Sequence, residues 1–384
     1  MELMNHKEKD INIIKIKLNE NSQENLEKEI NSYIPRNYGI DLLKIIAMIN
    51  IINLHINLFT PLLNMNPENK KYKQVFRLEA FSFWPVDAFG IISGIVNYKK
   101  YKFINIIYIW FEYFFYSVTL SLYFYYNSAI NKKTLIYHFF PVAIRRNWYV
   151  NAYILMYLFL PFVVNSFHLI DKTLFNKIIF IFFFIHSVYH IIIKFNIPNT
   201  NFDYIDGGYS SLWLLILFIL GSYIGKYLIK KQFLPKTFFI VIYLLSSFIS
   251  SEYIFYSYNK YKVPNRIFLE YFSPTIVIQA LSLIFFFANL KITNKYFIKM
   301  ISFLNPLNFN VTLIHSKAYQ FKTPLIVKLC KYTQALTDHY LFFKIYGISI
   351  LIYFICIVID YFRFLIFKLL RIRALCNCIK KILF

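Results

Sequence analysis

Charge is scarce in this chain. Of 384 residues only 16% are Asp, Glu, Lys or Arg, against about a quarter in a soluble domain. The charge present is one-sided, 42 basic residues against 19 acidic ones, a formal net charge of +23. Glycine is rare, with 8 in the chain, and the 4 cysteines, Cys330, Cys356, Cys376 and Cys378, make no framework. Cys376 and Cys378 are too close to bridge readily and have no partner pair for zinc, so they read as incidental thiols. No cleavable leader is visible, because residues 1–35 are polar and of mixed charge with no apolar stretch. That segment reads as a cytoplasmic tail. These absences exclude a disulfide scaffold and a zinc module.

Apolar residues fill the space that charge leaves. They make up 58% of the chain, with a mean hydropathy of +0.48, more than one water-soluble core of this length hides. They also come in long runs, such as Ile40 to Phe59, Trp148 to Val164, Ser211 to Ile229, Phe238 to Ser251 and Tyr346 to Leu370. A run of about twenty apolar residues spans a bilayer as a helix. The fold class expected is therefore all-α, a polytopic membrane protein with about ten transmembrane helices and no soluble domain. Its parts are a polar N-tail over 1–35, a membrane domain over 36–370 and a basic C-tail over 371–384. Lys and Arg are more numerous on the connectors of the side that holds both tails, which orients both termini to the cytoplasm. Much of the +23 is then a rim facing anionic membrane lipid, and nucleic acid is not an expected partner. A uniform skew toward Ile, Asn, Lys, Phe and Tyr accounts for the 21% aromatic content without a stacking surface.

Several ionisable groups fall inside the apolar runs, where they are costly and functional by default. In the first run, Lys44 and His55 are eleven residues apart. Three helical turns bring them to one face, about 16 Å apart along the axis. Asp41, three residues before Lys44, can pair with it, while His55 lies deep enough to act as a general base. Asn50, Asn53 and Asn57 form another stripe and read as hydrogen-bonding groups between helices. In the second run, Asp87 precedes Ser93-Gly94, a small-residue notch suited to close backbone approach. Lys99, Lys100 and Lys102 follow, either as plain rim or as contacts for phosphates. Arg145 and Arg146, before Trp148, Tyr149 and Asn151, are interface anchors or a site for an anionic glycan lipid. Asp206-Gly-Gly-Tyr209-Ser210-Ser211 reads as a turn with aromatics and hydroxyls suited to sugar, and His315 is a second deep histidine. His186 and His190 lack the glutamate of a zinc-protease helix, and no metal is expected.

Taken in order, these stretches resemble the family-3 membrane acyltransferases over roughly residues 36 to 320. The motifs that carry the resemblance are Lys44 with His55, Ile92-Ser93-Gly94, Trp148-Tyr149 through Tyr153 with Pro161, and Gly208 to Trp213. Tyr271 to Thr275 and Leu313-Ile314-His315 complete them. The last stretches look like the branch found in O-antigen and exopolysaccharide clusters. The resemblance implies a multi-pass bacterial inner-membrane enzyme. It would move an acyl group, acetyl first, from cytoplasmic acetyl-CoA to a hydroxyl of a surface polysaccharide or its lipid-linked oligosaccharide precursor. His55 would be the catalytic histidine and Lys44 the basic partner of its motif, with Asp41 in the catalytic set as the residue that pairs with Lys44, and Lys44, Lys99, Lys100 and Lys102 would meet the CoA phosphates. Ser93, Asp87, Arg145, Arg146, Trp148, Tyr149, Asn151 and His315 would serve the substrate or the scaffold. The sequence departs from the pattern in having Lys44 where arginine is frequent and Asp87 where asparagine is. A glycan flippase or polymerase of the same pathway is the alternative reading.

Overall fold

A computed structural model describes residues 36–144, 147–167, 169–196, 205–229, 234–320, 328, 332 and 340–383. The chain divides into two units, Met1–Asn37 and Tyr38–Phe384. The polar tail expected over 1–35, and Cys330, lie outside the described residues. The second unit is helical, with no strand among the described residues. Ten of its helices are long and apolar enough to cross a membrane, as expected: α1 Tyr38–Phe59, α2 Lys71–Asn97, α3 Phe103–Tyr126, α4 Trp148–Ser166, α5 Lys172–Phe195, α6 Ser211–Leu228, α7 Lys236–Tyr261, α8 Ile267–Ala288, α9 Lys295–Lys317 and α10 Leu341–Leu369. The protein is a polytopic membrane protein. Lipid supplies no hydrogen bonds, so helices that satisfy their own backbone are the form such a chain takes.

Burial sorts the spans. α2 is 78% buried over its apolar window and lies innermost, whereas α5 is 17% buried and lies at the edge. Large side chains such as Phe162, Phe180, Leu351 and Phe362 project outward from the peripheral spans, where hydrocarbon takes the place of water. Two large apolar clusters divide the interior, beside a smaller third that joins α2, α7 and α8. One joins α2, α4, α6 and α8; the other joins α1, α3, α9 and α10.

The tightest pairing is that of α2 with α6. Gly90 and Gly94 on α2, one turn apart, lie against Leu217 and Gly221 of α6, while Gly221 and Gly225, also one turn apart, lie against Ile91 and Ile95 of α2, the small-residue spacing that lets two backbones touch. A methyl group on Gly94 would collide with the Phe218 carbonyl oxygen, and one on Gly221 with that of Ile91. Gly94 thus makes the close approach that the Ser93-Gly94 pair suggested.

α2 also begins earlier than the apolar run does. Its first half, Lys70–Ser82, is an amphipathic helix over a stretch that reads as a polar connector, and Pro85 starts the second half. Proline has no N–H to give the carbonyl four residues back, which here is Phe81. Trp84 Nε1 at 3.1 Å and the Tyr243 hydroxyl at 2.8 Å donate to that oxygen instead. The C-tail departs from a simple basic segment as well. Ile372–Leu383 is a helix that packs on α3, because Ile372, Cys376 and Ile379 recur at helical spacing and turn inward.

Gly221→Ala should lower the thermal unfolding midpoint in detergent and the yield of monodisperse protein, an overpacking cost of about 1–3 kcal/mol. Gly347→Ala, where nothing lies within 4 Å of the added methyl, should hold or raise the midpoint, since alanine favours a helix by about 1 kcal/mol over glycine.

Candidate active site

The two clusters enclose a cavity of about 640 Å³. Lys44 lies at one end, near the start of α1. His55, three turns further along the same helix, also lines it. Lys44 Nζ is 3.1 Å from Asp41 Oδ1, the pair that the spacing suggested, and Asn308 Nδ2 donates to the Lys44 carbonyl at 2.9 Å. Asp41 itself is buried beneath this pair.

His55 meets His315, 260 residues later. His55 Nδ1 lies 2.7 Å from His315 Nε2, and His315 Nδ1 lies 2.5 Å from the Val311 carbonyl of its own helix. A carbonyl only accepts, so His315 Nδ1 carries the hydrogen. The neutral ring then leaves Nε2 as an acceptor, and His55 Nδ1–H must donate to it. The lone pair of His55 is therefore on Nε2. Phe59 packs edge-on to the His55 ring at 5.8 Å between centroids and limits its rotation.

Beyond His55 the wall is aromatic. Asn147 caps α4 by accepting from Val150 N–H at 3.1 Å, which sets Trp148 and Tyr149 on the first turn. The turn at Gly207 and Gly208 has φ of +64° and +94°, and Tyr271 N–H donates to the Gly207 carbonyl at 3.1 Å. A methyl on Gly208 would sit 2.5 Å from Tyr271 Cβ, so glycine is what lets the turn reach this tyrosine. Ring centroids are 4.5 Å apart for Trp148 and Tyr209, 4.8 Å for Tyr209 and Tyr271, and 5.8 Å for Trp148 and Tyr271. The segment before Tyr271 is anchored by Glu270, whose carboxylate meets Lys194 Nζ at 2.6 Å. Tyr209 lies outside the spans; loss of water around its hydroxyl holds the phenol above the usual range, a hydrogen bond with Tyr271 opposes the rise, and the carboxylates of Glu79, Glu270 and Asp206 add to it.

The remaining expected residues fall in different places. Ser93 lines the cavity, its hydroxyl 3.5 Å from that of Tyr153. Asp87 is fully buried and accepts from Trp213 Nε1 at 3.1 Å, tying α2 to α6 outside the cavity. Asn151 Nδ2 donates to the Asn147 carbonyl of its own helix at 2.8 Å, its buried Oδ1 finds no partner among the described residues, and it does not line the cavity. Lys99, Lys100 and Lys102 follow α2 and are not among the lining residues either. Arg145 and Arg146 lie outside the described residues. The Asn stripe does bond between helices: Asn50 accepts from Tyr346, Asn53 from Ser349, and Asn57 donates to Glu79. No cluster of metal-binding type occurs among the described residues.

Sequence reasoning missed four groups at the cavity: Glu79, Glu112, Tyr116 and Lys317. Glu79 was legible in principle, because Tyr72, Val75, Phe76 and Glu79 share one helical face. Glu112 stands alone in an apolar run, and Asp360 with Arg363 is an i, i+3 pair within α10. Arg363, 2% exposed, meets Glu112 at 2.9 Å and Asp360 at 2.7 Å. The Tyr116 hydroxyl donates to Asp360 at 2.8 Å and Asn310 Nδ2 to Glu112 at 3.0 Å. Lys317 Nζ is 2.9 Å from His138 Nδ1.

A cavity with a basic mouth, an oriented histidine beyond it and an aromatic far wall suits group transfer between two bound molecules. The family of acyltransferase domains matches residues 37–364. The chain belongs to the family-3 acyltransferases. Neither a curated protein nor a solved structure matches it. Membership of this family makes the protein a multi-pass membrane acyltransferase and removes the support from the flippase and polymerase reading.

In this acyltransferase Arg363→Met should abolish folded protein, since removing one partner of a buried ion pair costs about 3–5 kcal/mol. The triple variant Glu112→Gln, Asp360→Asn, Arg363→Met leaves no charge behind and should recover a monodisperse peak in size-exclusion chromatography.

Proposed function

We propose that this acyltransferase moves an acetyl group from cytoplasmic acetyl-CoA to a sugar hydroxyl of a cell-surface polysaccharide or its lipid-linked precursor, with His55 as general base. The observation that carries the reading is the His55 Nδ1–His315 Nε2 bond inside a cavity that Lys44 also lines. That bond leaves a basic nitrogen, His55 Nε2, for the acceptor hydroxyl. As the hydroxyl oxygen attacks the thioester carbonyl, its proton passes to His55 Nε2. The tetrahedral intermediate collapses, the carbon–sulfur bond breaks, and the CoA thiolate takes the proton back from His55. His315 steadies the transient imidazolium because its Nε2 already accepts from Nδ1–H. Its ring is locked in turn by the Val311 carbonyl. A hydroxyl or amide on the cavity wall, such as Ser93, is the donor type that stabilises the oxyanion.

Lys44 is the natural contact for the diphosphate of CoA, a compact cation held ready by Asp41. The pantetheine arm is comparable in length to the roughly 16 Å between Lys44 and His55, so the thioester reaches the histidine while the phosphates stay at the mouth. Lys99, Lys100 and Lys102 act as rim rather than as phosphate ligands in this reading. Ten spans return the chain to the side on which α1 starts. The excess of Lys and Arg on the connectors of that side supports a bacterial plasma-membrane protein with both termini in the cytoplasm. The donor then enters from the cytoplasm and the acceptor from the opposite face.

His55→Ala should cut ester-linked acetyl on the glycan by about a hundredfold or more at unchanged protein level, read by NMR of the purified polysaccharide. Acetylation at the wild-type level in that variant would overturn the assignment. His315→Ala should slow transfer with little change in the KM for acetyl-CoA, and His315→Gln, which keeps an acceptor, should slow it less. Lys44→Arg should retain activity while Lys44→Glu raises the KM for acetyl-CoA by about tenfold or more; equal values for the two would sink the phosphate role.

A further inference from the structure

The half of the cavity beyond His55 carries charges of both signs. Glu79 enters it from α2, only 7% exposed, with Oε2 taken by Asn57 Nδ2 at 2.7 Å. No ion pair forms at this carboxylate among the described residues; the Arg266 guanidinium acts on it only at longer range. A carboxylate buried to this degree requires further donors, and Asn57 supplies one. Lys317 enters from α9, 6% exposed, its ammonium donating to His138 Nδ1. The rings of Trp148, Tyr209 and Tyr271 line the same space, Trp148 and Tyr271 28° from parallel and Tyr209 tilted 59° and 58° to them. An aromatic face carries negative charge density and suits the weakly positive C–H face of a sugar ring.

A carboxylate only accepts hydrogen bonds and an ammonium only donates them. A hydroxyl does both. A ring bearing several hydroxyls therefore satisfies Glu79 and Lys317 together. A ligand carrying a single charge of either sign meets one of the two as a like charge, which offsets what it gains from the other, in a setting where water screens little. We propose that the sugar unit acylated by this enzyme is neutral and polyhydroxylated, packed against the rings of Trp148, Tyr209 and Tyr271, with hydroxyls donating to Glu79 and accepting from Lys317. The proposal rests on the acetyl-transfer reading and adds the acceptor's chemical class. Glu79 then becomes a specificity-determining residue, because it sets which hydroxyl faces His55 and turns acidic rings away.

The test uses the full chain in proteoliposomes with acetyl-CoA and matched acceptor pairs. Methyl glucoside is set against methyl glucuronide and methyl galactoside against methyl galacturonide, with ester formation read by mass spectrometry. Wild-type protein should acetylate the neutral member of a pair with a kcat/KM about tenfold or more above that of the uronate. Glu79→Gln should raise the KM for the neutral glycoside by about tenfold or more and narrow that gap. Its KM for acetyl-CoA should move less than about twofold, a split that a general packing defect does not produce. Equal or better use of the uronates, acetylation of neither member of any pair, or an unchanged acceptor KM in Glu79→Gln overturns the proposal. If Glu79→Gln yields no folded protein, the wild-type comparison of neutral and acidic acceptors decides alone. His55→Ala in the same assay keeps the two readings apart. An active His55→Ala protein overturns acetyl transfer by this histidine, whereas uronate preference with an inactive one overturns only the acceptor class.

Discussion

Hydrocarbon offers no hydrogen bonds, and α1 is crowded with groups that need them. A polar side chain on this helix that is not paired along it, as Lys44 is with Asp41, finds its partner on another span or leaves a buried group unsatisfied. Asn50 and Asn53 reach α10, Asn57 reaches Glu79 on α2, His55 reaches α9, and the Lys44 carbonyl receives Asn308 from α9. Three neighbours are thus held in register around one helix by directional bonds that apolar packing alone does not supply. The cavity opens beside α1 along the face that carries Lys44 and His55.

The other half of the molecule is assembled by a different rule. α2 and α6 touch backbone to backbone through Gly94 and Gly221, and Trp213 then reaches Asp87 across the joint. Close contact of this kind needs no polar group and tolerates no added methyl. The two halves meet around the cavity, one contributing histidines and amides, the other aromatics and Glu79. Acyl transfer needs this division, since a base held at one angle serves two substrates only if each has its own wall.

Much of this was legible in the residues. Ten spans follow from run length, because a bilayer sets the length of a helix. The Lys44–Asp41 pair and the shared face of Lys44 and His55 follow from helical geometry within one element. Glu79 was hidden because its helix is polar on one face and reads as a connector. The aromatic wall was hidden differently: a composition rich in Phe and Tyr makes every aromatic look ordinary until three of them, from segments far apart in the chain, are found in contact. Lys99, Lys100 and Lys102 stood behind Lys44 as phosphate contacts, with a plain rim as their other reading, and a local charge cluster carries no information about which side of a helix faces a cavity.

By itself the sequence determined the membrane as solvent, the number of spans, the bias of basic residues to one side and the spacing of the basic group and histidine on α1. These are properties of single segments, settled by length, charge and the helical repeat. Only the tertiary structure decided which nitrogen of His55 is free, because that depends on His315 Nε2 and, behind it, on the Val311 carbonyl. It alone decided that Glu79 and Lys317 share a chamber and that Asp87 does not enter it. Such facts belong to pairs of residues far apart in the chain, and a pair has no address until the helices have packed.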